Sequence, residues 1–200
     1  SSATFRVNVE ITPVTFSATG VGAISYSAAS LPDGLLLDPV SGQLAGTPVL
    51  PAAATPYTVV ATDADDSLTS STTITITVLP ATIDPPTQSV TAIVGVPFTT
   101  PPLSGVGFPG PVVYSIEPAP PLDWTWDPDT GVLGAALAAP LAQTDFTVTG
   151  ASGATTATAT VSIRGPPAAL SPSSQTLNVA VGSAVAPVLP APSGFATTVE

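Results

Sequence analysis

The chain has 200 residues, of which 25 are proline and 16 glycine, with 44% hydrophobic and only 8% charged residues. Two basic residues, Arg6 and Arg164, stand against 13 acidic ones for a net charge of −11, so no basic surface is available to hold a nucleic-acid backbone, and membrane insertion is not expected. Cysteine, methionine, histidine and lysine are absent, which removes disulfides, thiolates, imidazoles and amines, and with them most nucleophiles and transition-metal ligands. The expectation is a protein that is not an enzyme.

Along the chain, Ser1-Ser2-Ala3-Thr4-Phe5 has no initiator Met, basic region or apolar leader, the expected appearance of an internal or processed segment. Val7-Asn8-Val9 reads as strand-like and recurs as Val94-Gly95-Val96 and Val181-Gly182-Ser183, each 87 residues after the last. Tyr26-Ser27 returns as Tyr114-Ser115, Asp38-Pro39 as Asp127-Pro128, and Tyr57-Thr58-Val59 as Phe146-Thr147-Val148, at offsets of 88 or 89. Ile74, Ile76 and Val78 alternate with threonines, and Ala157, Ala159, Val161 and Ile163 do the same further on; period two is the mark of a half-buried strand.

A fixed period means an array of one small unit. Proline, glycine, serine, threonine and valine favour short strands and turns, and no segment carries helical spacing. The expected division is a first repeat over 1–80 without its lead-in strand, a second over 81–165 and the start of a third over 166–200, both ends of the chain cutting through a unit of a longer polypeptide. Pro80, Pro85-Pro86, Pro166-Pro167 and Pro172 fall between units and predict extended, stiff linkers. The apolar stretch from Val179 to Pro192 is broken by glycine and proline and is no spanning helix.

The motif Leu31-Pro32-Asp33-Gly34-Leu35, the hairpin Asp38-Pro39-Val40-Ser41-Gly42, the turn Gly46-Thr47-Pro48 and the strand Tyr57-Thr58-Val59-Val60-Ala61-Thr62-Asp63 together resemble the immunoglobulin-like repeat family of cell-surface proteins, which is related to the dystroglycan-type cadherin-like domains. Gln88 with Val94-Gly95, and Gln175 with Val181-Gly182, look like that family's opening strand pair. The resemblance implies an all-β chain of tandem immunoglobulin-like or cadherin-like β-sandwiches at the cell surface. The second repeat departs from the pattern: Asp123 replaces Gly34, Trp124 and Trp126 replace Leu35 and Leu37, and Ala135-Ala136-Leu137 replaces Gly46-Thr47-Pro48. Its hairpin survives as Asp127-Pro128-Asp129-Thr130-Gly131.

Two candidate sites follow. Asp63, Asp65 and Asp66 supply clustered carboxylates of the kind calcium takes, and cadherin relatives hold Ca²⁺ with acids at domain junctions; against this, the linker offers only Asp84, and the second repeat has Gly150-Ala151-Ser152-Gly153 at the cluster's place. A solvated turn is the expected role, with no cofactor. Trp124 and Trp126 carry faces on which a glycan ring could stack, but their alignment with Leu35 and Leu37 predicts core filling. A glycosidase pair drawn from Glu117, Asp123, Asp127 and Asp129 lacks the cleft it would need. The reading is a structural spacer or stalk segment of an extracellular fibre, appendage or adhesin, with copies of itself or neighbouring repeats as partners. The competing reading is a surface module that binds carbohydrate or protein. Neither asparagine forms an N-glycosylation sequon, so sugars would be O-linked, on outward Ser and Thr or on modified linker prolines.

Overall fold

The computed structural model describes residues 1–167, 169–171 and 191–193. It is all-β, and the backbone gathers into two compact units: unit 1 comprises Ser1–Thr82, Gly105–Val112 and Ala151–Ala157, and unit 2 comprises Ile83–Ser104, Val113–Gly150 and the described residues from Thr158 onward. Gln175, Val181-Gly182 and nearly all of the expected third repeat lie outside the described residues.

Unit 1 contains seven strands: β1 (Ser2–Arg6), β2 (Val14–Thr15), β3 (Ile24–Ala28), β4 (Leu35–Leu37), β5 (Gln43–Gly46), β6 (Ala52–Asp63) and β7 (Thr69–Leu79). They form a four-stranded sheet in the order β1-β7-β6-β3 and a three-stranded sheet in the order β2-β5-β4. The core cluster takes the inward positions of both sheets, Leu35 and Leu44 from one and Val59, Ile74, Ile76 and Val78 from the other. Threonine alternates with these residues in β7, so one face of the strand is apolar and the other carries hydroxyls. Each fully buried aliphatic side chain of this kind contributes about 1.5–3 kcal/mol over leaving it in water.

Beyond β8 (Thr82–Asp84), the same order returns as β9 (Thr87–Thr91), β10 (Pro97–Thr99), β11 (Ser104–Val106), β12 (Val113–Glu117), β13 (Thr125–Asp127), β14 (Val132–Ala136), β15 (Leu141–Ser152) and β16 (Thr155–Gly165). The four-stranded sheet β12-β15-β16-β9 matches β3-β6-β7-β1 strand for strand, and β10-β14-β13 matches β2-β5-β4. Leu133, Phe146, Val148, Val161 and Ile163 fill its core. The additional pairs are β8 with β11, and β17 (Ala169–Ser171) with β18 (Ala191–Ser193).

In both units the first strand pairs in parallel with the last. Ser2 to Arg6 lie opposite Thr75 to Leu79, and Thr87 to Thr91 lie opposite Thr160 to Arg164. The ladders extend alike at both ends: Thr75 N donates to Ser1 O and Val7 N to Leu79 O, as Thr160 N donates to Pro86 O and Ala92 N to Arg164 O.

One expectation is corrected. The period's anchors are turns, not strands: Val9 N donates to Arg6 O at 3.3 Å and Val96 N to Ile93 O at 3.0 Å, with Asn8 at φ 57° and Gly95 at φ 79° in the third position. Asparagine and glycine are the residues that tolerate that conformation, which is why they alternate at this point of the repeat. Within the proline-rich stretch 79–86, Thr82–Asp84 form a strand and Ala81 and Ile83 are buried. Their apolar side chains win burial that the flanking prolines do not prevent.

Candidate functional site

The acidic cluster sits where β6 turns into β7. Asp63 N donates to Leu68 O and Ser67 N to Asp63 O, closing a hairpin in which Ser67 takes φ 59°. Of the three aspartates only Asp63 turns inward, at 6% exposure; Asp65 and Asp66 face solvent. The Asp63 carboxylate is filled by backbone N–H groups: Oδ2 accepts from Val21 at 2.7 Å, Oδ1 from Asp65 at 3.0 Å, and both oxygens accept from Gly22. Asp66 Oδ1 accepts from Leu68 N at 3.0 Å. The Asp65 amide first, and then that of Gly22, hold the Asp63 carboxyl below the ordinary aspartate pKa; burial opposes them and the Val21 amide adds to them. A carboxylate committed to three amides is a brace for the β2–β3 loop. Among the described residues, no group of three or more His, Cys, Asp or Glu is placed to hold a metal ion. The open groove beside the hairpin, about 280 Å³, is lined chiefly by small and apolar residues, with Ala18, Val21, Ile24 and Leu68 around Asp63 and Asp66.

The repeated hairpin uses its acid in the same manner. Asp38 Oδ1 accepts from Val40 N and Ser41 N, both at 2.8 Å; Asp127 Oδ1 accepts from Asp129 N at 2.9 Å and Oδ2 from Thr130 Oγ1 at 2.7 Å. The Ser41 amide and then that of Val40 lower the Asp38 pKa, while the Thr130 hydroxyl and then the Asp129 amide lower that of Asp127. Gly42 N closes onto Asp38 O and Gly131 N onto Asp127 O. Each hairpin then receives a strand from the other sheet, Tyr26 N donating to Pro39 O at 2.9 Å and Tyr114 N to Pro128 O at 2.7 Å. These acids are folding elements, with Asp127 engaged in its own turn rather than presented toward a second carboxylate.

Trp124 and Trp126 are both half-buried, and only Trp126 lies within β13, paired with Leu133; Trp124 precedes the strand, its N–H donating to Pro121 O as Leu35 N does to Pro32 O. The Trp124 ring stands edge-on to Phe98, centroids 6.0 Å apart, and tilted against the buried Phe146 at 5.8 Å. In unit 1 the corresponding places hold Leu35 for Trp124 and Tyr57 for Phe146.

Several structural roles were not legible in the sequence. Asp63's target is the Gly20-Val21-Gly22 loop, signalled only by the two glycines. Arg6 donates through Nη1 to Pro80 O at 2.7 Å and Thr82 Oγ1 at 3.1 Å, and Arg164 through Nε to Thr91 Oγ1 at 3.0 Å, so each cation of the chain fastens one end of a parallel ladder. Gln88 is buried.

Residues 2–79 match the family described as "Putative Ig domain". The first repeat belongs to that family. Its immunoglobulin-like domain and the strand order of unit 2 make the chain a tandem of immunoglobulin-like β-sandwiches. Among solved structures, mouse cadherin-23 EC22-24 is similar at 17% identity over 72% of this chain and 53% of that one, with a TM-score of 0.34. Drosophila N-cadherin EC1-3 is similar at 15% over 83% of this chain and 64% of that one, TM-score 0.39. The human desmocollin-1 ectodomain is similar at 13% over 83% of this chain and 39% of that one, TM-score 0.37. The chain thus spans less than two thirds of each of these structures. No curated protein matches it in sequence. Among the described residues no helix is long and apolar enough to cross a membrane.

Proposed function

We propose that this segment is a load-bearing spacer of an extracellular fibre, surface appendage or adhesin, without enzymatic activity, and that it works beside neighbouring repeats or copies of itself. The observation that carries the proposal is the parallel pairing of first and last strands in each unit. Force applied to the two ends of a unit pulls β1 and β7, or β9 and β16, in opposite directions along their shared axis. All five residue pairs of the ladder then resist in shear at once, rather than opening one after another. A carboxylate-braced hairpin in each unit holds the second sheet in place under that load. Support also comes from the chemistry that is missing from the composition: no imidazole, thiol or amine is present to act as nucleophile or base.

The binding-module reading finds less support. Trp124 is engaged with Phe98 and Phe146, and the Asp63 carboxylate is engaged with backbone amides.

Single-molecule pulling on the 200-residue chain tests the spacer. Residues 2–79 of unit 1 are expected to release as one abrupt event that lengthens the chain by roughly 250 Å, given about 3.3–3.6 Å per extended residue. Gradual extension at low force, without a discrete rupture, would reject the proposal.

A further inference from the structure

The two parallel ladders form an internal comparison. They have the same number of residue pairs, the same backbone bonds beyond each end, and an arginine at the same end. They differ in what the first strand turns toward the core. In unit 1 the second residue of the strand is Ala3, opposite Ile76; in unit 2 it is Gln88, opposite Val161. Gln88 is only 8% exposed, and its Nε2 donates to Pro101 O at 3.0 Å, while its Oε1 is buried and accepts from no protein donor. Pro101 and Pro102 beside it have no N–H to offer.

A buried acceptor without a donor forfeits its hydration in the closed state and regains it as soon as the strand lifts. The cost therefore falls on the closed β9 and not on the opened one. Val161 and Ile163 of β16, both fully buried, would hold an apolar residue at position 88 without that cost.

We infer that Gln88 makes β9 a latch, the more readily opened of the two first strands, so that unit 2 yields before unit 1. This inference rests on the spacer reading for its use, since an ordered release would let the segment lengthen in steps. The sequence places another glutamine, Gln175, 87 residues after Gln88.

Hydrogen exchange read by mass spectrometry on the full 200-residue chain tests the latch without applying force, so its outcome is separate from that of the pulling experiment. Replacing Gln88→Leu removes the orphan acceptor and fills the same volume; the amides of Thr87–Thr91 are expected to exchange about tenfold more slowly. The reciprocal Ala3→Gln is expected to speed exchange in Ser2–Arg6 by a similar factor. Gln88→Ala, which installs the residue unit 1 carries, serves as the second variant should the leucine disturb packing, and is expected to slow β9 in the same direction. Exchange of β9 within about twofold of the parent in both Gln88 variants, or an unchanged β1 in Ala3→Gln, would overturn the inference.

Discussion

Both carboxylate oxygens of Asp63 accept the amide N–H of Gly22, at 3.1 and 3.2 Å. That contact ties the last residue of β6 to a loop 41 positions earlier in the chain. With Val21 and Asp65 it makes Asp63 the anchor of its pole of unit 1, while Asp65 and Asp66 remain in solvent. Asp63→Ala strands three N–H groups, so its thermal midpoint is expected to fall by several degrees, and exchange of the Val21 and Gly22 amides to rise; Asp65→Ala and Asp66→Ala should each move the midpoint by less than a degree or two. Adding millimolar Ca²⁺ is expected to leave the midpoint in place, because the inward carboxylate is already saturated by backbone donors. A calcium-dependent rise of several degrees, abolished by Asp65→Ala or Asp66→Ala, would restore the metal reading.

Acid stability follows from the same geometry. Asp38, Asp63 and Asp127 all have pKa values below the ordinary one because their charged forms accept hydrogen bonds in the folded state. The folded state therefore binds fewer protons than the unfolded one in this range. Their stabilisation is fully present above the unfolded aspartate value, about 3.9, and is lost as pH falls through the lowered folded values. The thermal midpoint should be nearly level from about pH 5 to pH 7 and drop below about pH 4. Asp38→Asn keeps an oxygen acceptor but no titrating charge, so its midpoint at pH 7 should fall by about the amount by which its acid-induced drop shrinks. Calorimetry across that pH series checks both statements.

The hairpin and the period were legible in the residues, since Asp, Pro and Gly at fixed spacing perform local chemistry wherever they fold. The relation between Leu31-Pro32-Asp33-Gly34 and Gly46-Thr47-Pro48 was not. The structure shows that the two motifs are one feature: Thr47 N donates to Gly34 O, and the two glycines, at φ 90° and 123°, let those backbone segments pass where any Cβ would collide. Unit 2 has lost both motifs together, Asp123 replacing Gly34 and Ala135 replacing Gly46, as a shared close approach requires. Nor could pattern alone say which of three neighbouring aspartates turns inward, because that depends on a loop 41 residues away. The parallel ladder was hidden for the same reason: alternation identifies a strand without naming its partner.

Phe146 is the point at which the second unit's substitutions meet. It is 2% exposed and packs against Trp124, which in turn contacts Phe98. Phe146→Ala is expected to destabilise unit 2 by about 3–5 kcal/mol, through lost transfer energy and the cavity left beneath the indole. Both tryptophans of the chain lie in this unit, so intrinsic fluorescence reports it directly. The emission should shift to the red in the folded variant as Trp124 gains water. A spectrum unchanged from the parent's would mean that the ring does not depend on Phe146, and would return Trp124 to consideration as a surface platform.

The two hairpin glycines should differ in what they tolerate. Gly42 and Gly131 have nearly the same backbone, φ 67° and 66°, and any L-residue there incurs roughly 1–2 kcal/mol for the left-handed conformation. Their surroundings are unlike. A Cβ on Gly42 would lie 2.5 Å from the carbonyl oxygen of Phe16 and 3.0 Å from the Tyr26 ring, and Phe16 N is itself bonded to Gly42 O, so neither partner is free to retreat. On Gly131 the nearest atoms would all belong to the Leu103 side chain, Cδ1 at 2.8 Å and Cβ and Cγ at 3.1 Å, so no backbone atom stands in the way and Leu103 has to give only by a few tenths of an ångström and a shift of its tip. Gly131→Ala should therefore cost little beyond the conformational term, while Gly42→Ala should cost that and a further 1–3 kcal/mol or so for the displaced strand. Chemical denaturation of the two variants, each followed in its own unit by hydrogen exchange, measures the difference; equal losses would mean that backbone conformation alone governs both turns.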